Sequence, residues 1–261
     1  MSKISFQNKI ADLFKNAYIG INKNHEDALD VFNTYCQINS CKIPILVNYD
    51  SHVDTYKNEK LSFPNLAQWI NFCIPEFGVK EHYWLIPHYV KDIEAKNLTE
   101  AETDAHAEIC LYTTKHIYKS MLSNPLTKEL IYKDTFDLMN VEKKNFGLPA
   151  SVAEDEGLNP VDFHLLPLDD ISILKGKEIA LSVDADAFCN SGFDTDNGVS
   201  NLDISEKDLQ KEFEIFIDAL YDNNIKINVV SLTVSPAFFP EKYKQKLKNF
   251  YNTIKSASKN C

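Results

Sequence analysis

The segment Ile45-Leu46-Val47-Asn48-Tyr49 runs directly into Asp50-Ser51-His52-Val53-Asp54, so three potential metal ligands emerge where a strand ends and its loop begins. A second segment repeats the design: Ile179-Ala180-Leu181-Ser182-Val183 ends in Asp184-Ala185-Asp186. Residues i and i+2 of a strand face the same way, so both carboxylates of the second pair can aim at one point. One such pair has an ordinary alternative, because Asp also caps the turn or helix that follows a strand. Two pairs and a histidine point instead to metal. Four carboxylates at the ends of apolar strands repel one another and resist desolvation unless cations are present, and two divalent cations balance four such charges. Carboxylate and imidazole donors suit manganese, with zinc, iron or cobalt also compatible.

Hydrophobic periodicity alternates between strand-like and helix-like segments along nearly the whole chain, which predicts βαβ units around a mostly parallel sheet. The expected architecture is a three-layer α/β fold with helices on both faces, in a single domain over residues 1–261. Strands are predicted over 43–48, 83–87, 178–183 and 227–234, and helices over 63–72, 99–121, 241–254 and from Ser205 onward. In that last helix Leu209, Phe213, Phe216, Ile217 and Leu220 recur at helical spacing, and Ser205 with Asp208 can form a capping box. The stretch 143–162, with two prolines, two glycines and an acidic cluster, reads as a long loop near the site. Parallel α/β sheets bind ligands at the C-terminal ends of their strands, which is where both acidic motifs fall.

Apolar residues make up 44% of the chain, enough for a sizeable core. The net charge of -11 repels nucleic acid and anionic lipid and favours cationic partners. All 27 basic residues are lysine, so binding modes that need a bidentate guanidinium are excluded. The lack of arginine has two readings: codon bias in a lysine- and asparagine-rich chain, or self-protection in an enzyme that modifies arginine side chains. Cysteines 36, 41, 73, 110, 189 and 261 form no CxxC pair and read as reduced thiols. No apolar run approaches the roughly 20 residues needed to span a bilayer, and a soluble, cytoplasmic protein is expected.

DSHVD resembles the DAHxD motif of the arginase and agmatinase family, and LSVDADAF resembles its SxDxD motif, in the same order and each after a strand. That family carries a histidine ligand upstream of the first motif, and His25, in NKNHEDAL, precedes Asp50 by 25 residues. The segments HEDAL, VNYDSHVD, LAQWINFCIPEFGVKEHYWLIPHY, LSVDADAF and LTVSPAFFP are similar to a narrower branch, the peptide arginases of ribosomal-peptide biosynthesis. Two features depart from ordinary arginases. The GGDH context of the first histidine is missing, and Ser235 stands near the place of a guanidinium-binding carboxylate.

The resemblance implies an arginase-like fold with two manganese ions, Asp50 and Asp184 bridging them, His25 and Asp54 completing one site, and His52 and Asp186 the other. It implies hydrolysis of an arginine side chain in a precursor peptide to ornithine and urea, or of a small guanidine or amide such as agmatine, free arginine or an acetylated amine. A non-catalytic metal-binding protein of the same fold is the further alternative. Guanidinium recognition wants a carboxylate, for which Glu26 and Asp27 are candidates, although acidic residues in a helix's first turn are also stabilised by its dipole. Ser235 is the third candidate for substrate binding. Asp54 and His88 are the catalytic candidates, His88 or His82 supplying a proton to the departing amine, with a structural role as the other reading of His82. Trp69 and Trp84 fit core positions, and His106 and His116 lie in a predicted helix away from both motifs.

Overall fold

The computed structural model describes residues 4–50, 69–87, 162–189, 204–236 and 238–258. In chain order it contains α1 (Phe6–Phe14), β1 (Tyr18–Asn22), α2 (Ala28–Asn39), β2 (Ile45–Tyr49), α3 (Trp69–Phe77), β3 (Glu81–Ile86), β4 (Asp162–Pro167), β5 (Glu178–Asp184), α4 (Glu206–Asp222), β6 (Lys226–Thr233) and α5 (Lys244–Ala257). The strands form one sheet in the order β1-β6-β5-β2-β3-β4, with every pairing parallel. Helices α2 and α3 cover one face, and α1, α4 and α5 cover the other, giving three layers. None of the helices among the described residues is long and apolar enough to cross a membrane.

Alternation along the strands explains why both faces are buried. Val47, Tyr49, Leu181, Val183, Val230 and Leu232 join the core under α1, α4 and α5. Leu46, Ala180 and Val229, in register across β2, β5 and β6, join the smaller core under α2 and α3. Two residues further on, that second face turns polar: Asn48, Ser182 and Ser231 share a row, and Asp184 and Thr233 share the next. Toward the C-terminal edge the sheet stays apolar on one side and turns polar on the other.

Helix α4 forms as its spacing predicts, with all five apolar positions buried. The Ser205 hydroxyl oxygen accepts the Asp208 backbone N–H at 3.1 Å, and the hydroxyl donates to the Asp208 carboxylate at 2.5 Å. Such an N-cap is worth about 1 kcal/mol. Elsewhere the boundaries move. Helix α3 runs through Pro75 to Phe77 instead of ending at residue 72, because Gly78, at φ +68°, supplies the left-handed stop. Residues 63–68 and the helix expected over 99–121 lie outside the described residues, as does nearly all of the loop expected over 143–162, whose last residue, Asp162, opens β4. The predicted 241–254 helix is a short 3-10 turn followed by α5. Cys36, Cys41 and Cys73 are free thiols and Cys189 is buried, while Cys110 and Cys261 lie outside the described residues.

Helix α2 approaches β1 so closely that only glycine fits at position 20. A Cβ on Gly20 would lie 2.2 Å from Cγ2 of Val31 and 2.9 Å from its Cγ1. Gly20→Ala should therefore push α2 away from the sheet and destabilise the protein by about 1–3 kcal/mol, read from urea denaturation midpoints at an unchanged m-value.

Candidate metal centre

The chain leaves β1 at Asn22, makes a 3-10 turn over His25–Asp27 and enters α2. That short path brings His25 back over the polar rows of the sheet. Its imidazole is buried, with Nδ1 lying 3.1 Å from Oδ2 of Asp50 and 3.2 Å from Oδ2 of Asp184. One ligand atom from each of the three residues lies within 4.8 Å of the other two, and all three residues are buried. The group can hold a metal ion. Two buried carboxylates against one imidazole leave net negative charge even when the ring is protonated, so a cation suits this donor set.

Each of the three side chains is held from behind. The Nε2 of His25 lies 2.7 Å from the Ser182 hydroxyl oxygen, a contact that directs the other ring nitrogen at the carboxylates. The Trp69 ring packs against the imidazole with centroids 4.8 Å apart. The Trp84 indole N–H donates to the backbone carbonyl of Asp50 at 3.0 Å, and the Asn48 amide donates to Asp50 Oδ2 at 3.2 Å. Asp184 divides its two oxygens between the two roles open to a strand-end aspartate. Oδ1 accepts the Asp186 backbone N–H at 3.3 Å and caps the turn over Ala185–Ala187, while Oδ2 faces His25.

That turn is anchored on the opposite face by Phe188. Its ring meets Tyr49, Phe213, Phe216 and Phe250 edge-on at centroid distances of 5.3, 4.9, 5.4 and 5.7 Å. Neighbouring titratable groups register the negative field. Burial and then the charges of Asp184 and Asp186 push the Tyr251 hydroxyl well above its usual range. The Cys189 thiol is pushed up to about 12 by burial, with Asp186 adding to the rise and Lys242 opposing it.

Of the residues singled out in the sequence, the fold unites His25, Asp50 and Asp184 and places Asp186, fully buried, on the adjoining turn. His52, Asp54 and His88 lie outside the described residues. The Asp27 carboxylate accepts the Asn24 backbone N–H at 3.2 Å, a local capping role. Glu26 has a buried carboxylate oxygen, Oε2, with no hydrogen-bond partner among the described residues. Ser235 follows β6 in a left-handed conformation at φ +48°, nearly buried, its carbonyl accepting N–H groups of Phe238 and Phe239 at 3.1 and 2.9 Å. His82 is buried near the start of β3 beside Leu46, away from the strand's C-terminal end.

Four residues that touch the site were not singled out for it: Trp69, Trp84, Asn48 and Ser182. The tryptophans do occupy core positions, as their patterns indicate. Their contacts with His25 and Asp50 depend on tertiary packing. Asn48 and Ser182 left a visible signal, since each is a polar residue inside an apolar strand, two positions before an aspartate. No protein-family model matches the chain, and no curated protein matches it.

Asp184→Asn keeps the capping oxygen and removes one negative charge. Without metal, the variant should melt above the wild type because two buried carboxylates no longer repel. Divalent manganese at 100 times its dissociation constant should stabilise the wild type by about 2.7 kcal/mol and leave the variant nearly unchanged. Paired thermal melts with and without manganese check both halves.

Proposed function

We propose that the chain is a metal-dependent hydrolase of arginase type, which converts arginine side chains in a precursor peptide to ornithine with release of urea. The convergence of His25 Nδ1 with one carboxylate oxygen each of Asp50 and Asp184, at the C-terminal edge of a parallel sheet, carries the reading. The resemblance of DSHVD and LSVDADAF to the arginase motifs supplies the rest. By that resemblance His52, Asp54 and Asp186 would join the three, and the six together would hold two divalent cations, manganese being the best match to carboxylate and imidazole donors. Bound there, the cations would supply Lewis acidity and lower the pKa of a water molecule to near neutrality.

The residues of the chain orient and protonate. With Nε2 against the Ser182 hydroxyl, His25 turns Nδ1 toward the shared centre, where it would offer its lone pair to a bound cation. Trp84 and Asn48 restrain Asp50 from its backbone and its carboxylate. Glu26, next to His25 and with a buried carboxylate oxygen that has no partner among the described residues, is the better of the two acidic candidates for a guanidinium, since Asp27 is engaged in capping. Ser235, just beyond β6, would shape the pocket wall. Hydrolysis transfers oxygen to the guanidinium carbon, which departs as urea, and a proton to the amine of ornithine, with His88 as its donor. A net charge of -11 favours the approach of a cationic peptide.

Mass spectrometry of arginine-containing peptides, free arginine and agmatine, each incubated with the protein and manganese, tests the proposal. The predicted outcome is the loss of one cyanamide mass per arginine, in peptides only and abolished by metal removal or by Asp50→Ala. Turnover of the small guanidines alone would reassign the substrate, and activity that survives in Asp50→Ala would refute the site.

A further inference from the structure

We infer that Asn48 is a positioning residue for the metal centre, retained at a cost in stability because its amide aims the Asp50 carboxylate. The inference rests on the reading of His25, Asp50 and Asp184 as metal ligands. Asn48 lies inside β2, fully buried, with Trp84 and Ser182 beside it in register on the neighbouring strands. Its Nδ2 donates at 3.2 Å to Oδ2 of Asp50, the same oxygen that lies 3.1 Å from Nδ1 of His25. Its own carbonyl oxygen, Oδ1, is buried and has no hydrogen-bond partner among the described residues.

Stability alone would not select this side chain. The adjoining position on the same face, Leu46, is apolar and packs with α2 and α3, and a leucine at 48 would repeat asparagine's branched four-atom side chain without burying an orphan acceptor. Turning the amide over would satisfy nothing, because Oδ1 would then face the Asp50 carboxylate and the two oxygens would repel. Asp50 therefore dictates the orientation of the amide, and the amide dictates which way Oδ2 points. With Trp84 holding the Asp50 carbonyl, the carboxylate has little freedom left to turn from His25 and Asp184.

Opposite signs in two measurements separate this role from a merely structural one. The proteins compared are the wild type and Asn48→Leu, by calorimetric titration with manganese alone and by thermal melts in chelator. Asn48→Leu should weaken manganese binding by roughly 10–100-fold, the range found when partners of metal ligands are lost, and raise the metal-free melting temperature by roughly 2–4 °C. Unchanged manganese affinity would overturn the inference, as would a fall in both affinity and metal-free melting temperature, which would mark Asn48 as ordinary structural support. A wild type that binds no manganese would sink the metal reading itself, an outcome distinct from either. Should Asn48→Leu fail to fold, Asn48→Ala, which only removes atoms, carries the same affinity readout.

Discussion

Two buried carboxylates, from Asp50 and Asp184, face a single imidazole nitrogen of His25. In water such a group would disperse; inside a protein it survives only if the surroundings hold it together or a cation neutralises it. Much of the structure around it does the holding. Ser182 and Trp69 orient the histidine, Trp84 and Asn48 orient one aspartate, and the turn that carries the other is nailed to the core by Phe188. These supports reach the site from β2, β3, β5 and α3, so the geometry of three side chains depends on the assembled sheet and not on any one segment.

The parallel sheet makes the arrangement possible by giving its faces different compositions. One face stays apolar to the ends of the strands and is buried by α1, α4 and α5. The other changes from Leu46, Ala180 and Val229 to Asn48, Ser182 and Ser231 within two residues, on three adjacent strands in register. Because all the strands run the same way, these changes coincide in space and produce a polar floor instead of scattered polar residues. The 3-10 turn between β1 and α2 then places His25 over it, and Gly20 lets α2 lie close enough for the turn to reach.

Legibility in the sequence followed the strength of local signals. The strands ending at Tyr49 and Asp184 were readable because apolar runs ended abruptly in paired aspartates, and Ser205 marked the start of α4 because its side chain caps the helix it precedes. Strand β1 was not anticipated, since five residues containing a glycine give little periodicity, and β4 starts at the last residue of a stretch that reads as loop. Within the site, His25, Asp50 and Asp184 could be grouped by residue type and order. That His25 offers Nδ1 while Ser182 takes Nε2, or that Asp184 divides its oxygens between a cap and the imidazole, depends on three-dimensional contacts that no spacing encodes.

By our proposal this carboxylate–imidazole group holds a divalent metal ion. Anomalous diffraction at the manganese edge, from crystals grown or soaked with manganese, measures that directly. The expected result is a peak within coordination distance of His25 Nδ1 and of carboxylate oxygens of both Asp50 and Asp184, lost in Asp184→Asn. A clear map of these side chains with no anomalous peak among them, from crystals soaked in manganese, would contradict it.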